Sequence, residues 1–235
     1  MDAPLRITIV IPAYNEAGRL PATLDQIVAY LDRTPWDWTI RVVDDGSSDR
    51  TAHVAEQYRE RDPRIIVQRE PHGGKGAAVK AGLLAADGDY RFICDADLSM
   101  PIRELVRFLP PLLTDADVAI GTREGAGARR VGEPTRRHLV GRAFNYLVQR
   151  LLLPGLNDTQ CGFKMFTGAA VQRIFHDVTI GGWSFDIEAL YLARRRGLRI
   201  VEVPIEWHYR AESRLNVLRD GPAMFLDLLR IRRRR

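Results

Sequence analysis

The residues best equipped for chemistry stand in RFICDADLSMP, Arg91 to Pro101, where an apolar run ends on two carboxylates one residue apart. Asp95 and Asp97 repel each other unless positive charge lies between them. Side chains at i and i+2 of a strand share a face, and just past the strand's end both can converge on one ion. A hard divalent cation takes oxygen ligands. Mg2+ is commonly held by one or two carboxylates plus substrate phosphates, and Mn2+ suits the same ligands. The plainer reading is a pair of solvated loop acids, because D-x-D triplets are frequent. The position directly after FIC favours the ion site.

Two further stretches carry chemistry. HGGKGAA, His72 to Ala78, sets consecutive glycines and Lys75 at a helix start, where backbone N–H groups suit an anion. It is not a Walker A loop, since no Ser or Thr follows Lys75 and the glycine spacing differs. It also reads as a helix-start turn with a surface lysine. VVDDGSSD offers Asp44 and Asp45 as acceptors for a nucleobase or ribose, or as part of a capped turn. VIPAYNE lacks the G-x-G-x-x-G pattern, so a dinucleotide fold gains no support.

These residues need elements to position them, and the first half supplies a strict alternation. RITIVIP, WTIRVVDD, RIIVQRE, YRFICDAD and ADVAIGTR read as strands. Between them, helical spacing is expected in RLPATLDQIVAYLDR, SDRTAHVAEQYRERD (capped by Ser48 or Asp49), GKGAAVKAGLLAA and IRELVRFLPPLL. Strands that are almost continuously apolar and alternate with helices predict an α/β fold with a mostly parallel sheet flanked by helices on both faces. Every polar cluster then falls at a strand's C-terminal end, the edge where open α/β sheets bind ligands. After Arg123 the regularity stops. Residues 124–137 read as a mobile loop and LVGRAFNYLVQRLLL as a helix ended by Pro154-Gly155; NDTQCGFKMF and a short helical stretch through Ile174 follow. GGWSFDIEALYLARRRG is a helix begun at Trp183-Ser184, LRIVEVPIEWHY a late strand, and PAMFLDLLRIRRRR an amphipathic end in which Phe225, Leu228 and Leu229 can share a face.

Composition bounds what these motifs can serve. A chain of 235 residues with 46% hydrophobic and 28% charged residues builds one good core, so a single domain over 1–235 is expected. Two cysteines, Cys94 and Cys161, argue for a reducing compartment and against a disulfide framework or zinc site. No secretory signal and no spanning helix is legible, which points to a cytosolic protein. The net charge of +5 is uneven: from Arg194 onward twelve arginines face five acidic residues. The basic stretch over about 222–235 is either a solvated end or a contact for anionic lipid headgroups, at ~1 kcal/mol for each arginine near the surface. Nucleic acid is not expected as a partner, because no stacking aromatics interleave with these arginines.

Taken together, VIPAYNE, VVDDGSSDRT, GGKGAAVKAG, DADLSMP and GTR resemble, in order and spacing, the nucleotide-sugar-dependent family-two glycosyltransferases of the GT-A fold. DTQCGFKMF, GWSFDIEALYLARRRGLRIVEVPIEW and SRLNV narrow the resemblance to dolichyl-phosphate β-glucosyltransferases, with the mannose synthases more distant. The resemblance implies that Pro12, Ala13, Tyr14 and Glu16 cradle the nucleoside and that Asp44 and Asp45 read base and ribose. Lys75 and Gly76 would lie by the nucleotide, and Asp95, Ala96 and Asp97 would hold a diphosphate with Mg2+ or Mn2+. Trp183, Ser184 and Asp186 would line the sugar pocket; Trp183 and Asp186 also read as helix-start packing and cap.

Arg123, with Arg129, Arg130, Arg136 or Arg137 on the loop and Lys164, would bind the acceptor phosphate. Ser99 stands where mannose synthases carry Gln, which fits the glucosyl branch and leaves a third metal ligand weaker or absent, with Ser99 and His208 both open to complete the site. The implied activity is inverting transfer of one sugar, glucose from UDP-glucose, to a polyprenyl phosphate at the cytoplasmic face of a membrane. Contact with that membrane would be peripheral, through LVGRAFNYLVQRLLL and the basic amphipathic C-terminus. The QxxRW signature of processive synthases is missing, which favours one sugar per acceptor. A phosphate monoester, with its second pKa near ~6, arrives mostly deprotonated. It therefore requires no base from His72, His138 or His208. GDP-mannose as donor, another sugar, and a non-catalytic nucleotide-binding scaffold remain the alternatives.

Overall fold

The computed structural model describes residues 3–210 and 217–234; Arg235 and the SRLNV stretch up to Asn216 lie outside them. A seven-stranded sheet forms the centre. Its strands are β1 (Arg6–Ala13), β2 (Asp37–Asp45), β3 (Ile65–Glu70), β4 (Tyr90–Ile93), β5 (Val118–Thr122), β7 (Lys164–Thr167) and β8 (Ile200–Pro204), in the order β3-β2-β1-β4-β7-β5-β8. All neighbours are parallel except β7, which runs antiparallel to both β4 and β5. A second, two-stranded sheet pairs β6 (Arg129–Val131) with β9 (Glu206–His208).

Alternation along the strands sorts side chains into two cores. Ile9, Ile11, Ile40, Val42, Phe92, Ala119 and Met165 enter the layer that α1 (Leu20–Leu31) covers with Leu20, Leu24 and Ile27. Their neighbours Val10, Val43, Ile93, Val118 and Phe166 face the opposite layer. There they meet α3 (Lys75–Ala85), α5 (Gly168–Phe175), α6 (Phe185–Arg195), α4 (Thr135–Leu151) and α7 (Val217–Arg233). A sheet buried on both faces needs strands apolar on both sides, which is what these are. Helix α2 (Thr51–Arg61) packs beside β3 with Ala55 buried.

Several boundaries differ from the sequence expectations, each for a local reason. Helix α2 begins at Thr51, and Asp49 satisfies the Thr51 N–H at 2.9 Å. IRELVRFLPPLL forms a 3₁₀ helix over Ile102–Phe108 rather than an α-helix. Leu109 is driven into extended backbone (φ −125°, ψ 157°) by the proline after it, so too few residues remain to propagate an α-helix. The expected late strand divides into β8 and β9, which join different sheets. KMFT, where no strand was expected, forms β7, which fills the gap between β4 and β5. On α7 the buried face is Met224, Leu228 and Ile231, and Phe225 turns outward. Within the stretch read as a mobile loop, β6 pairs with β9, and Arg130 bridges Glu124 and Glu133.

The residue before β7 anchors it. Phe163 is buried against Phe92 (ring centroids 5.5 Å apart) and Phe108 (5.2 Å). Phe163→Ala is expected to cost about 3–5 kcal/mol through a cavity at the centre of this layer. Chemical denaturation of the variant measures the loss; a midpoint within error of the parent would show that β7 is held by its backbone ladder alone.

Candidate active site

Strand order reverses about β1, with β2 on one side and β4 on the other, and the crevice at such a switch point is the natural ligand site of an open α/β sheet. The chain end of β1 and the loop after β4 open there into a cavity of about 650 Å³. Pro12, Ala13, Tyr14, Glu16, Asp45, Lys75, Asp95, Ala96, Asp97 and Trp183 all line it. The ring of Tyr14 stacks on His72 at 4.2 Å, which places a flat aromatic pair on its wall. Asp45, buried at the end of β2, accepts from the N–H groups of Gly73 (2.8 Å) and Gly74 (3.1 Å), so the glycine turn is pinned to the sheet edge. Gly74 has φ +91°, and a Cβ there would meet the Gly181 carbonyl oxygen at 2.6 Å; only glycine fits.

The positive charge that the acid pair requires is Lys75. Its Nζ lies 2.6 Å from Asp95 Oδ1 and 5.7 Å from the centre of the Trp183 ring. Burial favours the neutral amine, but the carboxylates of Asp95 and Asp186 outweigh it, and the Lys75 pKa is raised. Asp97 accepts the Ser99 N–H at 2.9 Å across a turn in which Leu98 adopts φ +43°. A branched side chain in the left-handed region is strained by about 1–3 kcal/mol, a cost that commonly marks functional loops. The backbone of Gly162 closes on the other side: a Cβ at that position would lie 1.9 Å from Asp95 Oδ2.

A second cavity, of about 290 Å³, shares Lys75, Asp95, Asp97 and Trp183 with the first and runs toward α4 and α7. Arg123, Arg130, Arg137 and Asp186 line it beside Val140, Phe144 and Met224. Arg123 is committed to the buried Asp158, donating from its backbone N–H (2.9 Å), Nε (2.6 Å) and Nη2 (2.8 Å). Burial disfavours its charge, yet Asp158 overrides that and raises the pKa further. The same pairing reverses the upward push of burial on Asp158 and holds it lowered. Arg210, exposed at the cavity's edge, has no carboxylate partner among the described residues.

Four residues from the sequence reading stand behind these walls rather than in them. Lys164 is buried, with Nζ 2.8 Å from Asp186 Oδ1 and bonded to the Cys161 carbonyl. Burial raises the Asp186 pKa even against Lys164 and Lys75. Asp44 faces the Ser47 N–H (3.3 Å), Gly76 donates to the Gly181 carbonyl (2.7 Å), and the Ser184 hydroxyl is buried without a partner among the described residues. Arg129 pairs with Glu206 at 3.8 Å and Arg136 is exposed; neither lines the cavity. The His208 ring bonds Glu206 at 2.6 Å, outside both cavities, whereas Ser99 lines the second. No group of three or more His, Cys, Asp or Glu side chains suited to a metal occurs among the described residues. His72, Gly182 and Arg210 were not singled out from sequence as wall residues. Only His72 carried a signal, as the aromatic next to the glycine turn.

Comparison with protein-family models matches residues 8–175 to glycosyl transferase family 2. The human dolichyl-phosphate beta-glucosyltransferase is 32% identical over 99% of this chain and 77% of its own length. The enzyme of that name from Saccharomyces cerevisiae is 31% identical over 98% and 75%, and one from Trichomonas vaginalis 35% over 89% and 66%. Among solved structures, glucosyl-3-phosphoglycerate synthase from Mycobacterium tuberculosis, in complex with Mn2+, UDP-glucose and phosphoglyceric acid, superposes with a TM-score of 0.71. It covers 97% of this chain and 80% of that one at 21% identity. Mannosyl-3-phosphoglycerate synthase from Rubrobacter xylanophilus gives the same TM-score and identity over 97% and 72%. These likenesses establish the GT-A fold. With the family model running from β1 through β7 and including the glycine turn and the acid pair, this chain belongs to glycosyl transferase family 2 and is a glycosyltransferase.

Proposed function

We propose that the chain transfers glucose from UDP-glucose to a dolichyl-type polyprenyl phosphate, with inversion and one sugar per acceptor. The observation that carries this reading is the pair of cavities meeting at Lys75, Asp95, Asp97 and Trp183. One extends from the Tyr14–His72 stack and suits a nucleoside diphosphate. The other combines arginines with Val140, Phe144 and Met224 and suits a phosphate on an apolar chain. The names of the curated relatives and the UDP-glucose complex of the structural neighbour support the same donor and acceptor.

Two carboxylates on one turn, already drawing a cation, match the donor set of a hard divalent ion whose other ligands come from the diphosphate. Asp95 and Asp97 would hold Mg2+ or Mn2+, which when bound neutralises charge on the departing UDP. Lys75 adds positive charge beside the same leaving group. A phosphate oxygen of the acceptor attacks the anomeric carbon as the bond to UDP breaks. The acceptor is already ionised, so orientation by cations takes the place of a general base. Asp186 and Trp183 would face the sugar, one accepting hydroxyls and the other covering a ring face. Lys164 beneath Asp186 fixes that carboxylate.

Around the second cavity, α4 exposes Leu139 and Tyr146 (60% and 69%) and α7 exposes Phe225 and Leu226 (44% and 52%). Exposed Arg136, Arg150, Arg230, Arg232 and Arg233 flank them. Such a face suits peripheral contact with an anionic bilayer, from which a polyprenyl phosphate would reach the arginines. No helix among the described residues is long and apolar enough to cross a membrane.

A thermal-shift screen with Mn2+ tests the donor: UDP-glucose should stabilise more than UDP-galactose, UDP-N-acetylglucosamine or GDP-mannose, and preference for GDP-mannose would replace the glucosyl reading. Asp97→Ala should lower transfer at least about a hundredfold with the fold intact, and chelation by EDTA should do the same to the parent; undiminished turnover in either would remove the metal from the scheme. Arg210→Ala should raise the acceptor KM about tenfold without changing donor affinity, read with a short polyprenyl phosphate. An unchanged acceptor KM would exclude Arg210 from the phosphate site.

A further inference from the structure

The C-terminal arginines do not all face outward. Glu188 on α6 is 1% exposed, and both of its oxygens are used. Its Oε2 accepts from the N–H groups of Thr179 (2.9 Å) and Ile180 (2.8 Å). Its Oε1 accepts from the Thr179 hydroxyl (3.0 Å) and from Arg234 Nη1. Arg234 also donates to Thr179 Oγ1 (2.6 Å) and to the Asp177 carbonyl (2.9 Å). The Arg234 carbonyl in turn accepts from Arg195 Nη1 at 2.7 Å, so the chain just after α7 is clamped to the body from both sides.

The loop held this way leads into the donor cavity. Gly181 follows Ile180, and its carbonyl accepts from Gly76 N–H (2.7 Å) and Ala77 N–H (3.3 Å) at the start of α3. A Cβ on Gly181 would lie 2.5 Å from the Gly73 carbonyl oxygen, and one on Gly76 2.6 Å from that of Ile180. With no room between them, this loop and the glycine turn shift together. The turn carries Lys75 on Asp95, and the loop continues into Gly182 and Trp183 on the cavity wall.

We propose that Arg234 is a positioning residue of the donor site: by neutralising the buried Glu188 it fixes residues 179–183 against the start of α3, and so sets the placement of Lys75 and Trp183. The inference rests on the assignment of this cavity to a nucleotide diphosphate. A buried carboxylate deprived of its cation is costlier than a lost neutral contact, so the loop must rearrange to rehydrate Glu188 when Arg234 is removed.

Amide hydrogen exchange and calorimetric titration with UDP in Mn2+ test it on the full chain. Arg234→Ala should speed exchange about tenfold at Thr179, Ile180, Gly76 and Ala77 and weaken UDP binding by a similar factor. Arg234→Lys should restore most of both, and Arg232→Ala with Arg233→Ala should change neither. Loosening confined to Thr179 and Ile180, with Gly76, Ala77 and UDP affinity as in the parent, would overturn the proposal. Should Arg234→Ala fail to fold, Glu188→Gln with Arg234→Gln removes both charges; it should show the same pattern at smaller amplitude, and parental exchange in it would equally refute the relay. A parent chain that does not bind UDP would defeat the donor assignment, while the exchange pattern would still decide whether Arg234 acts on the turn.

Discussion

Two carboxylates gathered at the end of a sheet strand are unstable company, and the ammonium of Lys75 is what lets them stay. At an effective dielectric near 20, two like charges about 4 Å apart cost about 4 kcal/mol. Lys75, 2.6 Å from Asp95, offsets that repulsion with an attraction of its own. The lysine is the first residue of α3, whose approach depends on glycines at 74 and 76 because the neighbouring loop leaves no space for side chains. The sheet places the acids, the helix start places the cation, and the loop before α6 holds the two in register.

The same economy of charge organises the second cavity. Arg123 is locked on Asp158, Arg130 between Glu124 and Glu133, and Lys164 under Asp186. Each buried charge thus has a partner, as burial demands. The result is a rigid wall of fixed dipoles and ion pairs rather than a collection of free cations. Preorganised charge of this kind can hold an incoming phosphate without reorganising during a reaction.

Much of this was legible in sequence where local pattern and tertiary structure agree. Strands β1, β2, β3 and β5 fell where apolar runs placed them, and the clusters ending them converge on one crevice because a parallel sheet brings all those ends to one edge. Asp95, Asp97, Lys75 and Tyr14 could be named for that reason. What escaped was non-local. KMFT is only four residues, and nothing in its own composition announces that it will be clasped between two strands distant in sequence. That Arg123 would be spent on Asp158 depends on a contact across 35 positions. Arg234 reads as one of a run of solvated arginines until the fold brings Glu188 beneath it.

The insertion of β7 has a consequence for how the protein comes into being. Strands β4 and β5 are adjacent in the chain but not in the sheet; the strand that joins them arrives more than forty residues after β5. During synthesis the flank of β4, the strand leading into the acid pair, therefore stays unpaired until the ribosome has released residues up to Thr167. Loop closure over such separations is slow, and an uncovered edge is a template for pairing with another chain. The open edge of β4 is thus a stretch of the nascent chain that a chaperone's cover would protect.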